Sequence, residues 1–163
     1  MKKLVSAFAA AAFLAVGASG VSAQVQVGPT LALSSDDVGF GIGATVSAQA
    51  PALGEGFGFL GEFLLFFPDG FDFFEINGNV TYAFPLEDSS LMPFALAGLN
   101  ISRVSVDVGG FGSGSSTDIG LNLGGGVTFD LDSFRPSVGA RFAISDFNRV
   151  VVFATLPFEV GSN

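Results

Sequence analysis

The chain contains no Cys, no His and no Trp. Losing the first two removes Ser-His-Asp and Cys-His catalytic units and the usual His/Cys zinc sites. Without Cys there are no disulfides, so the fold has to hold on packing and hydrogen bonding alone. The only lysines are Lys2 and Lys3, so everything after them lacks a Walker-type phosphate loop and Schiff-base chemistry. Positive charge is scarce throughout: 6 basic residues stand against 15 acidic ones, which makes nucleic acid a poor partner. Gly (23) and Phe (20) are plentiful instead, in a chain of 163 residues of which 49% are hydrophobic. That balance says more about where the protein sits than about any reaction.

Residues 1–23 read as a cleaved signal peptide. Lys2 and Lys3 form a basic start, Leu4 to Val16 an apolar stretch broken by Ser6, and Val21-Ser22-Ala23 a small-residue cleavage site. An apolar stretch of about 13 residues is short against the ~20 that a spanning helix needs. No Cys follows the cleavage site, which argues against a lipid anchor. Residues 24–163 are expected to form one domain.

Past Gln24 the hydrophobic period is two rather than 3.6, the mark of strands. Asp118 to Leu131 places Ile119, Leu121, Leu123, Val127, Phe129 and Leu131 on one face and Gly120, Asn122, Gly124, Gly126, Thr128 and Asp130 on the other. Phe134–Ser145, Val38–Gln49, Val25–Leu33 and Phe71–Leu86 alternate likewise, with Val38 and Phe40 assigned to the apolar face. Phe57–Phe67, Met92–Val106 and Arg149–Val160 alternate less cleanly. The turn-formers between them lie at Ser34–Asp37, Ala50–Glu55, Pro68–Gly70, Glu87–Leu91, Asp107–Thr117, Asp132–Ser133 and Asp146–Asn148.

Eight strands of about 9–15 residues exceed the 5–6 typical of soluble sandwiches and match the 9–11 of a tilted strand crossing a bilayer. The pattern predicts an all-β fold, an eight-stranded antiparallel up-and-down transmembrane β-barrel, since closure alone leaves no strand edge in lipid. One face of the strands is apolar and almost uncharged, the other small and polar, the inverse of a water-soluble barrel. The inward phase also collects Gly39, Gly41, Gly43, Gly58, Gly98, Gly120, Gly124, Gly126 and Gly139, which suits a narrow interior.

The segments Phe74-Glu-Ile-Asn-Gly-Asn-Val-Thr-Tyr-Ala-Phe-Pro85, Pro93-Phe-Ala-Leu-Ala-Gly-Leu-Asn100, Leu123-Gly-Gly-Gly-Val-Thr-Phe-Asp130 and Arg135-Pro-Ser-Val-Gly-Ala-Arg141 resemble small bacterial outer-membrane barrels of the OmpA/OmpX/opacity type, the porin family of outer-membrane proteins. The resemblance covers the mature chain. It implies insertion in a Gram-negative outer membrane with both termini periplasmic. Contact with outer-membrane lipids is expected, with lipopolysaccharide met by Arg103 on the outward phase of strand five, and so is a monomer. Val150, Val152, Ala154, Leu156 and Phe158 resemble the last-strand signal read by the outer-membrane assembly machinery, although five residues follow Phe158. Aromatic girdles would have to be built from Phe, Tyr82 being the single Tyr.

The expected lumen cluster comprises Glu62, Glu75, Asp130, Arg135, Arg141 and Glu159. A turn centred between Asp132 and Ser133 sets Asp130 opposite Arg135. A last hairpin centred on Phe147 brings Arg135 to Glu159, and one centred between Pro68 and Asp69 sets Glu62 opposite Glu75. Strand seven lies across the lumen from strand three, within reach of Arg141 to Glu62. Arg135 and Arg141 are the two interior cations on this reading. Buried charges have to pair, and three roles compete: a polar plug, a gate for ions or water, and a catalytic carboxylate pair, disfavoured because no substrate cleft is evident. The turn aspartates Asp36, Asp37, Asp130 and Asp132 lack a full calcium ligand set. No cofactor and no catalytic residue is expected. The function read from the sequence is a structural or surface-interaction role in the outer membrane, with a narrow gated ion or water channel as the alternative and a secreted lipocalin-like carrier of apolar ligands as a further one.

Overall fold

The computed structural model describes residues 25–160 apart from 36, 37, 108, 110, 111, 132, 133 and 147. Residues 1–23, Gln24, the Asp132–Ser133 turn, Asp36, Asp37 and the proposed hairpin centre Phe147 therefore lie outside the described residues. The rest is a closed, all-antiparallel, up-and-down β-barrel: β1 (Val25–Ser34), β2 (Gly39–Gln49), β3 (Phe57–Phe66), β4 (Asp72–Ala83), β5 (Leu91–Asp107), β6 (Ser113–Phe129), β7 (Ser137–Ile144), β8 (Arg149–Thr155) and β9 (Phe158–Val160). Each strand pairs with the next, and β1 closes the ring by pairing with β2 on one side and with β8 and β9 on the other. β8 and β9 lie on β1 in a single register and form one stave, interrupted at Leu156 and Pro157, so the barrel has eight staves. Proline has no N–H to give the ladder, which explains the break. We call the end bearing Val25 and Val160 proximal and the opposite end distal.

The outward positions between the barrel's two ends are apolar: Leu31, Leu33, Phe40, Ile42, Phe59, Leu99, Leu121, Leu123, Phe142 and Val152 are all exposed. At the proximal end the Tyr82 ring stands edge-on to Phe57 at 4.8 Å and to Phe84 at 4.9 Å, a collar built almost wholly of Phe. Inside, Ala32, Val38, Leu64, Phe66, Phe73, Leu96, Val151 and Phe153 form the apolar core.

Val38 corrects the alternating assignment, for it is 1% exposed and packs inside rather than on the outer face. Gly39, at φ +72°, turns the chain between the two and breaks the period. The expected loop over Asp107–Thr117 is also shorter than the sequence implied. β5 and β6 continue to the pair Asp107 and Ser113, well past the last β6–β7 pair at Leu121 and Ile144. Ser and Thr fit an extended ladder as well as a loop, so composition misplaced that boundary.

Candidate functional site

β3, β4, β5 and β6 each turn every second side chain inward, and on this phase they carry Glu62, Glu75, Asn77, Asn79, Asn100 and Asn122, all buried. From the opposite wall, β7 contributes Arg141 and β8 contributes Arg149, both 1% exposed. Arg141 Nη1 donates to Glu62 Oε2 at 2.7 Å and Nη2 to Glu75 Oε2 at 3.1 Å. Arg149 Nε donates to Glu75 Oε1 at 2.6 Å, Nη2 also contacts that oxygen, and Nη2 donates to Asn100 Oδ1 at 3.2 Å. Two carboxylates therefore face two guanidiniums, and the cluster is formally neutral.

The amides extend this cluster around the lumen. Asn77 Nδ2 donates to Glu75 Oε2 at 3.3 Å, and Asn77 Oδ1 accepts from Asn100 Nδ2 and Asn122 Nδ2, each at 2.8 Å. Asn122 Nδ2 also reaches Asn79 Oδ1 at 3.0 Å. The guanidiniums are backed by aromatic faces, Arg141 over Phe153 at 5.6 Å and Arg149 over Phe73 at 4.9 Å. Glu62 Oε1, Arg141 Nε, Asn79 Nδ2 and Asn122 Oδ1 are buried without a partner among the described residues.

The structure brings Glu62, Glu75 and Arg141 together but arranges them differently from the hairpin arithmetic. Glu62 lies opposite Asn77 and Glu75 opposite Leu64, because the β3–β4 turn is centred between Asp69 and Gly70, one residue later. Arg141 joins the two glutamates instead of their facing one another. Asp130 and Arg135 do pair, Nε to Oδ1 and Nη2 to Oδ2 both at 3.1 Å, but their side chains are 49% and 43% exposed. This is a surface ion pair at the proximal rim rather than part of a lumen cluster. Glu159 is exposed and lies opposite Gln26 on β1. The β7–β8 register, with Ala143 opposite Arg149 and Ser137 opposite Thr155, is centred on Asp146, so Arg135 does not face Glu159.

Sequence reasoning missed Arg149, the second interior cation in place of Arg135, and the four asparagines as members of the network. It also passed over Asp118, whose Oδ2 is buried at the distal mouth beside Ser102, its cross-strand partner. Their strand phase was the available signal: Arg149 shares the inward phase of Val151, Phe153 and Thr155.

Cavities lie at both ends of the barrel. The proximal one, about 480 Å³, reaches inward to Thr45, Leu60 and Phe153. The distal one, about 240 Å³, is lined by Phe73, Ser102 and Asp118 among others. Among the described residues there is no group of three or more acidic side chains placed to hold a metal ion.

No family model matches the chain, and no curated protein matches it by sequence. Solved structures do match. Neisserial surface protein A aligns at a TM-score of 0.66 and 19% identity, over 86% of this chain and 98% of that one. The N-terminal β-barrel domain of Pseudomonas aeruginosa OprF aligns at 0.66 and 12% identity, over 85% and 100%. Ail, the attachment invasion locus protein of Yersinia pestis, aligns at 0.61 and 15% identity, over 84% and 95%. At these identities the likeness is one of fold, and it spans essentially the whole of each barrel.

Proposed function

We propose that this chain is an integral outer-membrane β-barrel of a Gram-negative bacterium, exported through cleavage after Ala23, whose lumen is closed by the Glu62–Glu75–Arg141–Arg149–Asn network. Its role is structural or surface-interacting rather than enzymatic. The observation that carries this reading is the inverted distribution of polarity. The described outward positions from Ile101 to Leu91 on β5 and from Ile119 to Phe129 on β6 bear no charge, while the strands bury two glutamates and two arginines inside. Water would penalise that exterior, whereas a bilayer requires it. The same exterior argues against a secreted carrier of apolar ligands. The likeness to Ail, studied as an outer membrane protein in a phospholipid bilayer nanodisc, supports the location.

On this reading the proximal end faces the periplasm, and the outward residues Val150, Val152, Ala154, Leu156 and Phe158 present the last stave to the assembly machinery. Arg103 donates to Ser115 Oγ at 3.0 Å near the distal rim, and on this reading its guanidinium meets anionic lipopolysaccharide there. The barrel acts as a monomer. Carbonate extraction of membranes tests the location: the protein stays with the pellet and migrates differently on gels before and after boiling. Recovery in the soluble fraction overturns it.

The two end cavities, with the network between them, favour one second reading, a narrow gated channel for ions or water. Planar-bilayer recordings separate the two. A closed plug gives no unitary currents, whereas a gate gives currents that Glu62→Gln alters.

A further inference from the structure

The proximal cavity is lined by hydroxyl and amide groups together with apolar side chains. Thr128, Ser137 and Thr155 are successive cross-strand partners on β6, β7 and β8, so their inward hydroxyls form an arc across three neighbouring staves. Leu60 on β3 faces this arc across the lumen, Met92 and Phe94 flank it on β5, Met92 being the cross-strand partner of Thr128, and Thr45, Ser47 and Thr81 add further hydroxyls. Thr155 Oγ1 is engaged with Thr30 at 2.9 Å. The hydroxyls of Thr128 and Ser137 have no protein partner among the described residues.

The cavity has little net charge to offer. Glu55 and Arg135 are the charged side chains that line it; Glu55 is exposed on the proximal turn, and Arg135 is held in a bidentate pair with Asp130. An ionic ligand would give up its hydration with no counter-charge to meet it. An acyl chain would strip water from the hydroxyl arc and leave those groups without partners. A ring with an apolar face and hydroxyls around its edge meets both kinds of group at once. The volume of about 480 Å³ is within the roughly 300–1,000 Å³ usual for small-molecule sites.

We propose that this cup is a binding site for one uncharged saccharide, with the apolar ring face on Leu60 and Phe94 and the hydroxyls on Thr128 and Ser137. The geometry of the barrel carries this inference, while its test rests on the membrane reading: failure to enter the nanodisc overturns that reading, and failure to bind once inserted overturns this one. The test is an NMR titration of the isotopically labelled chain from Gln24 onward in phosphatidylcholine nanodiscs, using maltose and N,N′-diacetylchitobiose, with decanoate and glucose 6-phosphate as the competing chemistries. We expect saturable shifts at Phe94, Thr128 and Ser137 with at least one disaccharide, at a dissociation constant on the order of 1 mM or tighter. Thr128→Val and Ser137→Ala, which preserve size, each weaken binding roughly 3–10-fold. Four outcomes overturn the proposal: no saturation by either disaccharide, shifts that map outside the cup, tighter binding of decanoate or of the phosphate, or affinity unchanged in both variants.

Discussion

Arg149 Nε lies 2.6 Å from Glu75 Oε1, a contact between β8 and β4 across the interior of the barrel. Arg141, from β7, holds the other oxygen of the same carboxylate at 3.1 Å. Glu75 thus ties two late strands to the first half of the chain. Charges taken out of water cost several kcal/mol each unless fully paired, so removing one partner is worse than never having built the cluster.

Truncating either guanidinium strands a buried carboxylate. Arg141→Ala and Arg149→Ala are each expected to destabilise the barrel by about 3–5 kcal/mol, measured by urea unfolding in micelles with far-UV circular dichroism. A double-mutant cycle of Glu62→Gln with Arg141→Met isolates their coupling. A loss below about 1 kcal/mol in both single variants would remove the network from the account of stability.

The rim pair behaves differently. With side chains 43% and 49% exposed, Arg135 and Asp130 are screened by solvent. Arg135→Ala is therefore expected to change stability by no more than about 1 kcal/mol in the same assay. An effect as large as that of Arg141→Ala would place Arg135 in the buried network after all.

Glycines on the two faces of the wall separate packing from composition. A Cβ on Gly98 would come within 2.6 Å of Asn79 Cα, while one on Gly78 would meet nothing within 4 Å. Gly98→Ala is expected to cost about 1–3 kcal/mol through overpacking. Gly78→Ala, on the outer face, is expected to stay within about 0.5 kcal/mol. Equal losses would show that the interior is not tightly filled at this level.

A charge on the outer face should be felt only in lipid. Leu121→Arg is expected to destabilise the vesicle-embedded barrel by about 2–4 kcal/mol, and Ile119→Arg, nearer the distal end, by less. Folding equilibria in phospholipid vesicles check this, and tolerance of arginine at both positions would contradict a lipid-facing wall.

The barrel was legible because period-two alternation along about 9–15 residues carries strand phase and the sense of each face together. Phase survives even where register does not. Glu62 and Glu75 were correctly inward although their turn is centred one residue later than the composition of Pro68–Gly70 suggested. Arg149 was not legible by contrast of faces, because Val150, Val151, Val152 and Phe153 are apolar on both sides of the strand. Val38 was misassigned because the period was carried through Gly39, where the backbone turns. The asparagines stood in the inward phase, but neutral amides gain meaning only when several strands bring them together.

The central claim is that alternate residues of one strand face lipid and lumen. The chain has no native Cys, so single cysteines at the non-glycine positions from Ile119 to Thr128 can be labelled cleanly. We measure the quenching of an environment-sensitive label in vesicles by a lipid-soluble and a water-soluble quencher. The account predicts strong lipid-phase quenching at Ile119, Leu121, Leu123 and Val127, and protection from it at Asn122 and Thr128. Water-phase quenching at Leu121 and Leu123, or no alternation along the strand, would contradict it.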